Sequence, residues 1–188
     1  MANPTPNLET AFRKTDALLR KGNIRHLYIG GLAVLAAGEP RMTRDIDLII
    51  FISRKALPQM LGLASRSGFT VIERVAIRDA KERGACMIQF KGVPVDLILA
   101  STDLEASAWK RRRRLRLFGR LVNMPSIEDL ILLKIIPGRP RDIEDARGIV
   151  VSAGSGLDRP YLRLWCRRIC DEAEDMRVWQ RLKEVGIS

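Results

Sequence analysis

Asp45 and Asp47 stand one residue apart at the start of the apolar run DIDLIIFI, and Asp96 interrupts a second apolar run, VPVDLIL. Side chains two apart on a strand project to the same face, so Asp45 and Asp47 present two carboxylates side by side. Burying them uncompensated costs several kcal/mol, which makes a cation the natural occupant of the space between them. If the strand carrying Asp96 lies next to theirs, all three carboxylates share one or two metal ions. Oxygen donors with no histidine or thiolate nearby favour magnesium or manganese over zinc. Upstream, Gly30-Gly31 closes HLYIG and opens GLAVLAAG. At such a strand-to-helix corner, backbone N–H groups approach a phosphate with no Cβ in the way. A glycine pair alone is usually a tight turn, and one aspartate on an apolar strand is usually a solvated strand end. The order strand, Gly-Gly, helix, Asp-x-Asp strand is far more specific.

The elements that must position these residues can be read from periodicity and punctuation. LETAFRKTDALLRK reads as an opening helix stopped by Gly22-Asn23, HLYIG as a strand, GLAVLAAG as a short helix and DIDLIIFI as a buried strand. Ser53 is placed to cap RKALPQMLGLASRS, and Pro58 sets the true helix start near Leu57. FTVIERVAI, ACMIQFKG and VPVDLILA read as three strands, the last two joined by a turn at Lys91-Gly92, and a further hairpin is expected about Gly119. Ser126 with Asp129 begins the helix SIEDLILLKII, Pro137-Gly138 ends it, and RPRDIEDARGIVVSA begins the next. One or two amphipathic helices close the chain. The expectation is an α/β (α+β) fold: residues 1–124 form a mixed sheet flanked by helices, with an N-terminal helix. Residues 125–188 form a helical part packed on that core, because no Pro/Gly/Ser-rich linker separates them.

Composition narrows the setting. Lys and Arg number 33 against 22 Asp and Glu, a net charge of +11 that attracts polyanions, nucleic acid first among them. The densest charge is Lys110 to Arg114, KRRRR, ahead of a strand pair expected near the rim of the site; its reading is an RNA-backbone contact, against the usual solvated charge run. The three cysteines have no disulfide-framework spacing. MANPTPNLETAFRK lacks the apolar core of a signal peptide, and no window approaches the roughly 18 apolar residues of a membrane span. A cytoplasmic protein without a membrane partner is expected. Cys166 and Cys170 are four apart on a helix, yet with His26 the single histidine a zinc site is set aside.

Gly30-Gly31, Asp45-Ile46-Asp47 and Asp96 together resemble the signature of the polymerase β-type nucleotidyltransferase superfamily. PSIEDLILLKIIPGRPRDIEDARGIV is similar to the C-terminal motif of the small bacterial abortive-infection, type IV toxin-like nucleotidyltransferases. The resemblance covers roughly residues 25 to 150. It implies a polymerase β-like core and a magnesium- or manganese-dependent transfer of a nucleoside monophosphate from a nucleoside triphosphate to an acceptor hydroxyl, with release of pyrophosphate. By resemblance, Asp45, Asp47 and Asp96 are both metal ligands and catalytic carboxylates, Asp96 serving the acceptor hydroxyl and taking its proton. Thr43 matches a Ser/Thr position beside the triphosphate. Lys134 neutralises phosphate charge, and Asp142, with Asp145 as the alternative, orients Lys134 or contacts the nucleotide. Arg41 and Arg44 flank the Asp-x-Asp strand and are candidates for nucleotide or acceptor phosphate. A lysine in LLKII is also commonly a snorkelling side chain at a helix boundary.

The toxin-like resemblance and the positive charge favour the tRNA 3′ end as acceptor, with a cognate antitoxin as the protein partner such an enzyme would have. The enzymatic alternative is AMP transfer to a small molecule such as an aminoglycoside, or to a partner protein. An aminoglycoside suits an acidic cleft, and this chain is basic. A non-catalytic antitoxin or binding module is the alternative from another class; the intact carboxylate triad argues against it.

Overall fold

The computed structural model describes residues 8–187; Met1–Asn7, half of the stretch that lacks a leader's apolar core, and Ser188 lie outside it. Four strands, β1 (His26–Tyr28), β2 (Ile46–Ile50), β3 (Ala85–Phe90) and β4 (Val93–Leu99), form a mixed sheet in the order β1-β2-β4-β3. β2 and β4 run parallel in the centre and pair Asp47 with Asp96, so the two apolar strands that carry carboxylates are neighbours. β1 and β3 flank them antiparallel. The β3–β4 turn uses Lys91 and Gly92, both at positive φ, as a two-residue hairpin requires. Strands β5 (Arg113–Leu117) and β6 (Arg120–Met124) make a separate hairpin about Phe118-Gly119.

Helices α1 (Leu8–Lys21), α2 (Gly30–Ala36), α3 (Leu57–Arg66), α4 (Glu73–Arg83), α5 (Asp103–Lys110), α6 (Ile127–Ile135), α7 (Pro140–Ala153), α8 (Arg159–Ala173) and α9 (Arg177–Glu184) surround the sheet. One apolar core runs from Phe12 of α1 through the sheet to Leu182 of α9 and Ile187. α6 is its axis: Leu130, Ile131, Leu132 and Ile135 are buried, and so are Asp129 and Lys134. A helix buried on every side must pair its polar residues internally. Asp129 does so by accepting hydrogen bonds from Ser126 Oγ and the Tyr161 hydroxyl. The expected Ser126 cap is present, accepting from the Asp129 N–H at 3.1 Å. All three cysteines are free and buried, and among the described residues no helix is long and apolar enough to cross a membrane.

Two expectations change. FTVIERVAI is not a strand: only Thr70 bridges Gln89, and Glu73–Arg83 is helix α4, burying Ala76 and Ala80 and closing at left-handed Gly84. The apolar residues that suggested a strand are partly exposed on that helix, with Ile77 38% accessible. Ser53 makes no side-chain cap, and a single 3-10 turn at Arg54–Ala56 precedes α3, which begins at Leu57 as Pro58 dictates. The segment before the arginine run holds helix α5, fixed by a capping box between Thr102 and Glu105.

The KRRRR run is also divided. Lys110 ends α5. Arg111 lies 3.8 Å from the Tyr161 ring centre and pairs with Glu128 at 3.0 Å, while Arg112 covers the Trp109 indole at 4.1 Å. Arg113 and Arg114 are exposed on β5. Arg114 lines a groove with Arg25, His26 and Trp109 at the His26 end of β1, whereas Asp47 adjoins the opposite, Ile29 end. The run therefore does not sit as a block on the rim of the carboxylate site.

Candidate active site

Asp45, Asp47 and Asp96 converge: one carboxylate oxygen from each lies within 4.8 Å of the others. Asp47 stands on β2 and Asp45 in the bend immediately before it, where Thr43 holds its carboxylate, and Asp96 is brought level with Asp47 by the parallel register of β2 and β4.

The glycine pair explains how Asp47 fits. Gly30 has φ +60°, and a Cβ there would lie 1.7 Å from Asp47 Oδ2. Gly31 leaves room for Thr43, whose Cβ and Oγ1 would be 2.6 Å from a Cβ at that position. Asp47 accepts a hydrogen bond from the Gly31 N–H, and Thr43 Oγ1 donates to the Asp45 carboxylate at 2.6 Å. The Gly-Gly corner thus seats the aspartates directly, in addition to opening α2.

Burial, then the charges of Asp45 and Asp96, push the Asp47 carboxyl up to about 6, with Lys134 and the Gly31 N–H opposing. Burial and the Asp45 charge likewise raise Asp96, opposed by Arg139. None of the three carboxylates has an ion-pair partner among the described residues, since the ammonium of Lys134 is engaged elsewhere. Three mutually repelling oxygen donors of this kind suit a hard divalent cation, and the donor set fits magnesium or manganese.

Facing the aspartates is a cationic wall. Lys134 Nζ, nearly buried, lies 2.9 Å from Asp142 and 2.8 Å from Asp145, and Asp145 in turn holds Arg41 at 2.7 Å. Both alternatives for the partner of Lys134 are therefore used at once. Arg41, Lys134 and Arg139 join Ile29, Gly30, Asp45, Asp47, Leu133, Pro137 and Asp142 around a cleft of about 260 Å³. Such a pocket has carboxylates on one side for a metal and cations on the other for phosphate oxygens.

Among the residues expected here, Arg44 is exposed and does not line the cleft; Gly31, Thr43, Asp96 and Asp145 do not line it either, but each bonds to or pairs with a residue that does. Arg139 is a member that the sequence does not announce. It follows Pro137-Gly138 as the N-cap of α7, and its position in a turn before a helix gives no sign of the site.

By sequence the chain matches no family model and no curated protein. Solved structures do match. The solution structure of the antibiotic-resistance factor ANT(2'')-Ia aligns at TM-score 0.62 and 20% identity, over 88% of this chain and 95% of that one. A crystal structure of ANT(2'')-Ia in complex with adenylyl-2''-tobramycin aligns at TM-score 0.57 and 20% identity, over 79% and 90%. Lincosamide antibiotic adenylyltransferase LnuA, lincomycin-bound, aligns at TM-score 0.52 and 14% identity, over 78% and 98%. The chain has the polymerase β-type nucleotidyltransferase fold.

Proposed function

We propose that this protein is a divalent-metal-dependent nucleotidyltransferase that moves a nucleoside monophosphate from a nucleoside triphosphate to an acceptor hydroxyl, releasing pyrophosphate. The observation that carries the reading is the convergence of Asp45, Asp47 and Asp96, two of which, Asp45 and Asp47, line one cleft with Arg41, Lys134 and Arg139. Asp45 and Asp47 hold the metal, with Asp96 as the third ligand. A bound magnesium or manganese ion supplies charge neutralisation at the reacting phosphate and acidifies the acceptor hydroxyl. Asp96, raised toward neutrality by burial and Asp45, is suited to accept the proton of that hydroxyl. Lys134, Arg139 and Arg41 meet the triphosphate oxygens, and Asp142 and Asp145 hold Lys134 in its rotamer. Thr43 fixes the carboxylate of Asp45.

For the acceptor we favour the tRNA 3′ end, supported by the net charge of +11 and by the exposed arginines of the β5–β6 hairpin. The second reading is a small-molecule hydroxyl, and it is favoured by the aminoglycoside and lincosamide adenylyltransferases among the structural neighbours. A polycationic aminoglycoside would have to approach Arg41, Lys134 and Arg139, which counts against that member of the class.

The test is incubation of the purified protein with each labelled nucleoside triphosphate, magnesium or manganese, and either total tRNA or a panel of hydroxyl-bearing antibiotics. Label in tRNA with pyrophosphate released supports the proposal as stated. Label in an antibiotic alone moves the acceptor to the second reading. Absence of transfer and of pyrophosphate release under every combination overturns the enzymatic assignment.

A further inference from the structure

The turn that carries Arg139 into the cleft is braced from the far end of the chain. α6 finishes at Ile135, and the carbonyls of a last helical turn need donors from elsewhere. Arg181 of α9 supplies them: its Nη1 donates to the Ile135 carbonyl at 3.0 Å and to the Ile136 carbonyl at 2.7 Å. Its charge also sits favourably at the negative end of α6. The backbone then passes through Pro137 and Gly138 to Arg139. Gly138 has φ +60° and donates its N–H to the Lys134 carbonyl at 3.3 Å. A Cβ on Gly138 would lie 2.1 Å from Arg181 Cζ, so the guanidinium fills the inside of the turn in space that only glycine leaves open.

Arg139 is exposed and has no ion-pair partner among the described residues, so its place in the cleft is set by the backbone that carries it. Lys134 differs, being clamped by two carboxylates. We infer that Arg181 is a positioning residue of the nucleotide site: it holds the 136–139 turn, and through that turn holds Arg139 across from Asp96. The catalytic part of this inference rests on the proposed nucleotidyl transfer. Its structural part does not.

The experiment compares the parent with Arg181→Met, Arg181→Lys, Arg139→Ala and the double variant Arg181→Met/Arg139→Ala. Arg181→Met raises KM for the nucleoside triphosphate about tenfold, as a sub-ångström to ångström displacement of a phosphate contact does, and changes kcat less than about twofold. Arg181→Lys, which keeps the charge and one donor, falls between parent and Met variant. Because Arg181 acts through Arg139, the double variant is no worse than Arg139→Ala alone. Multiplying effects in the double variant, or an effect on kcat with KM unchanged, overturn the inference, because a general loss of stability lowers the active fraction rather than nucleotide affinity. Amide hydrogen exchange is read in parallel: the Ile136 and Gly138 amides, which donate to the Leu132 and Lys134 carbonyls, exchange faster in Arg181→Met and as in the parent in Arg139→Ala. If the parent transfers no nucleotide, the proposed function fails. Exchange at this turn still decides the brace, and unchanged exchange overturns it.

Discussion

Replacing Asp47 by asparagine separates what the site does for chemistry from what it costs the fold. The carboxyl is moved from its ordinary 3.8 up to about 6 by burial and by the charges of Asp45 and Asp96. At roughly 1.4 kcal/mol per pH unit, that displacement corresponds to about 3 kcal/mol of destabilisation once the group is ionised. The direction follows from the folded value being the higher one. Below pH 3.8 the acid is protonated in folded and unfolded chains alike, and nothing is lost. The penalty builds as pH rises from 3.8 to about 6 and is complete above it. Asparagine carries no charge to desolvate, and its side-chain oxygen still accepts from the Gly31 N–H.

Asp47→Asn therefore melts above the parent at pH 7 in the presence of EDTA. The gain is bounded by the same ~3 kcal/mol, which for a chain of this size is roughly 6–12 °C. The gain disappears near pH 4. Added magnesium or manganese reverses the order by stabilising the parent and leaving the variant unmoved, since a ligand that binds only the folded state raises the melting temperature. Transfer activity is abolished. The assays are thermal melts from pH 4 to 8 with and without metal, alongside pyrophosphate release. An Asp47→Asn protein that melts below the parent at pH 7 without metal would refute the electrostatic reasoning. Normal turnover in that variant would discard the site itself.

Lys134→Ala removes the ammonium between Asp142 and Asp145 and weakens triphosphate binding by about 1.5–3 kcal/mol, the worth of a charge-assisted hydrogen bond; isothermal titration with a non-hydrolysable triphosphate measures it, and an unchanged affinity returns Lys134 to a purely structural role. Replacing Arg113, Arg114 and Arg116, all exposed on β5, by glutamine weakens tRNA binding and lowers its log–log salt slope by roughly 0.7–0.9 for each phosphate that is no longer neutralised; equal slopes in parent and variant remove RNA from the proposal. Arg111 is left out of that set because it pairs with Glu128, so replacing it would disturb the fold. His26 is held below the usual histidine range, chiefly by burial, so the unfolded chain takes up its proton first and stability falls as pH drops below about 6.5. His26→Phe loses that component: between pH 7 and 5 its melting temperature falls less than the parent's, and parallel curves would show that His26 is not the group responsible. The titration of Asp47 is common to both proteins and cancels in the difference.

The parts of the site that are legible in the sequence share one property, which is that local spacing decides them. Asp-x-Asp on an apolar run fixes two carboxylates on one face whatever surrounds the strand, and the preceding Gly-Gly marks where the backbone must make room. Ser126 with Asp129 and Pro137-Gly138 bound α6 by rules that act within a turn. The capping box of α5 is equally local, Thr102 with Glu105, but the arginine run after it dominates the segment and hides the helix. α4 is obscured for a related reason. Val71, Ile72, Val75 and Ile77 suggest a strand by composition, while the deciding signal is Ala76 and Ala80 four apart, followed by Gly84.

Other features depend on what lies opposite, and no local pattern holds them. Sequence leaves the choice between Asp142 and Asp145 open because three residues on a helix keep both on one face, and only the arrival of Lys134 from α6 and Arg41 from the 39–45 loop shows that both are engaged. The KRRRR run looks uniform in sequence. It divides because Tyr161 and Glu128, which approach Arg111, come from α8 and α6. Arg139 is the extreme case. Its neighbours Pro137, Gly138 and Pro140 announce a turn and say nothing of a cleft. The turn takes its shape from a guanidinium 46 residues beyond Ile135, which fills the space under Gly138. A cation placed by such a contact can be found only once the two helices are packed, which is why the cationic side of this cleft is harder to read than its carboxylate side.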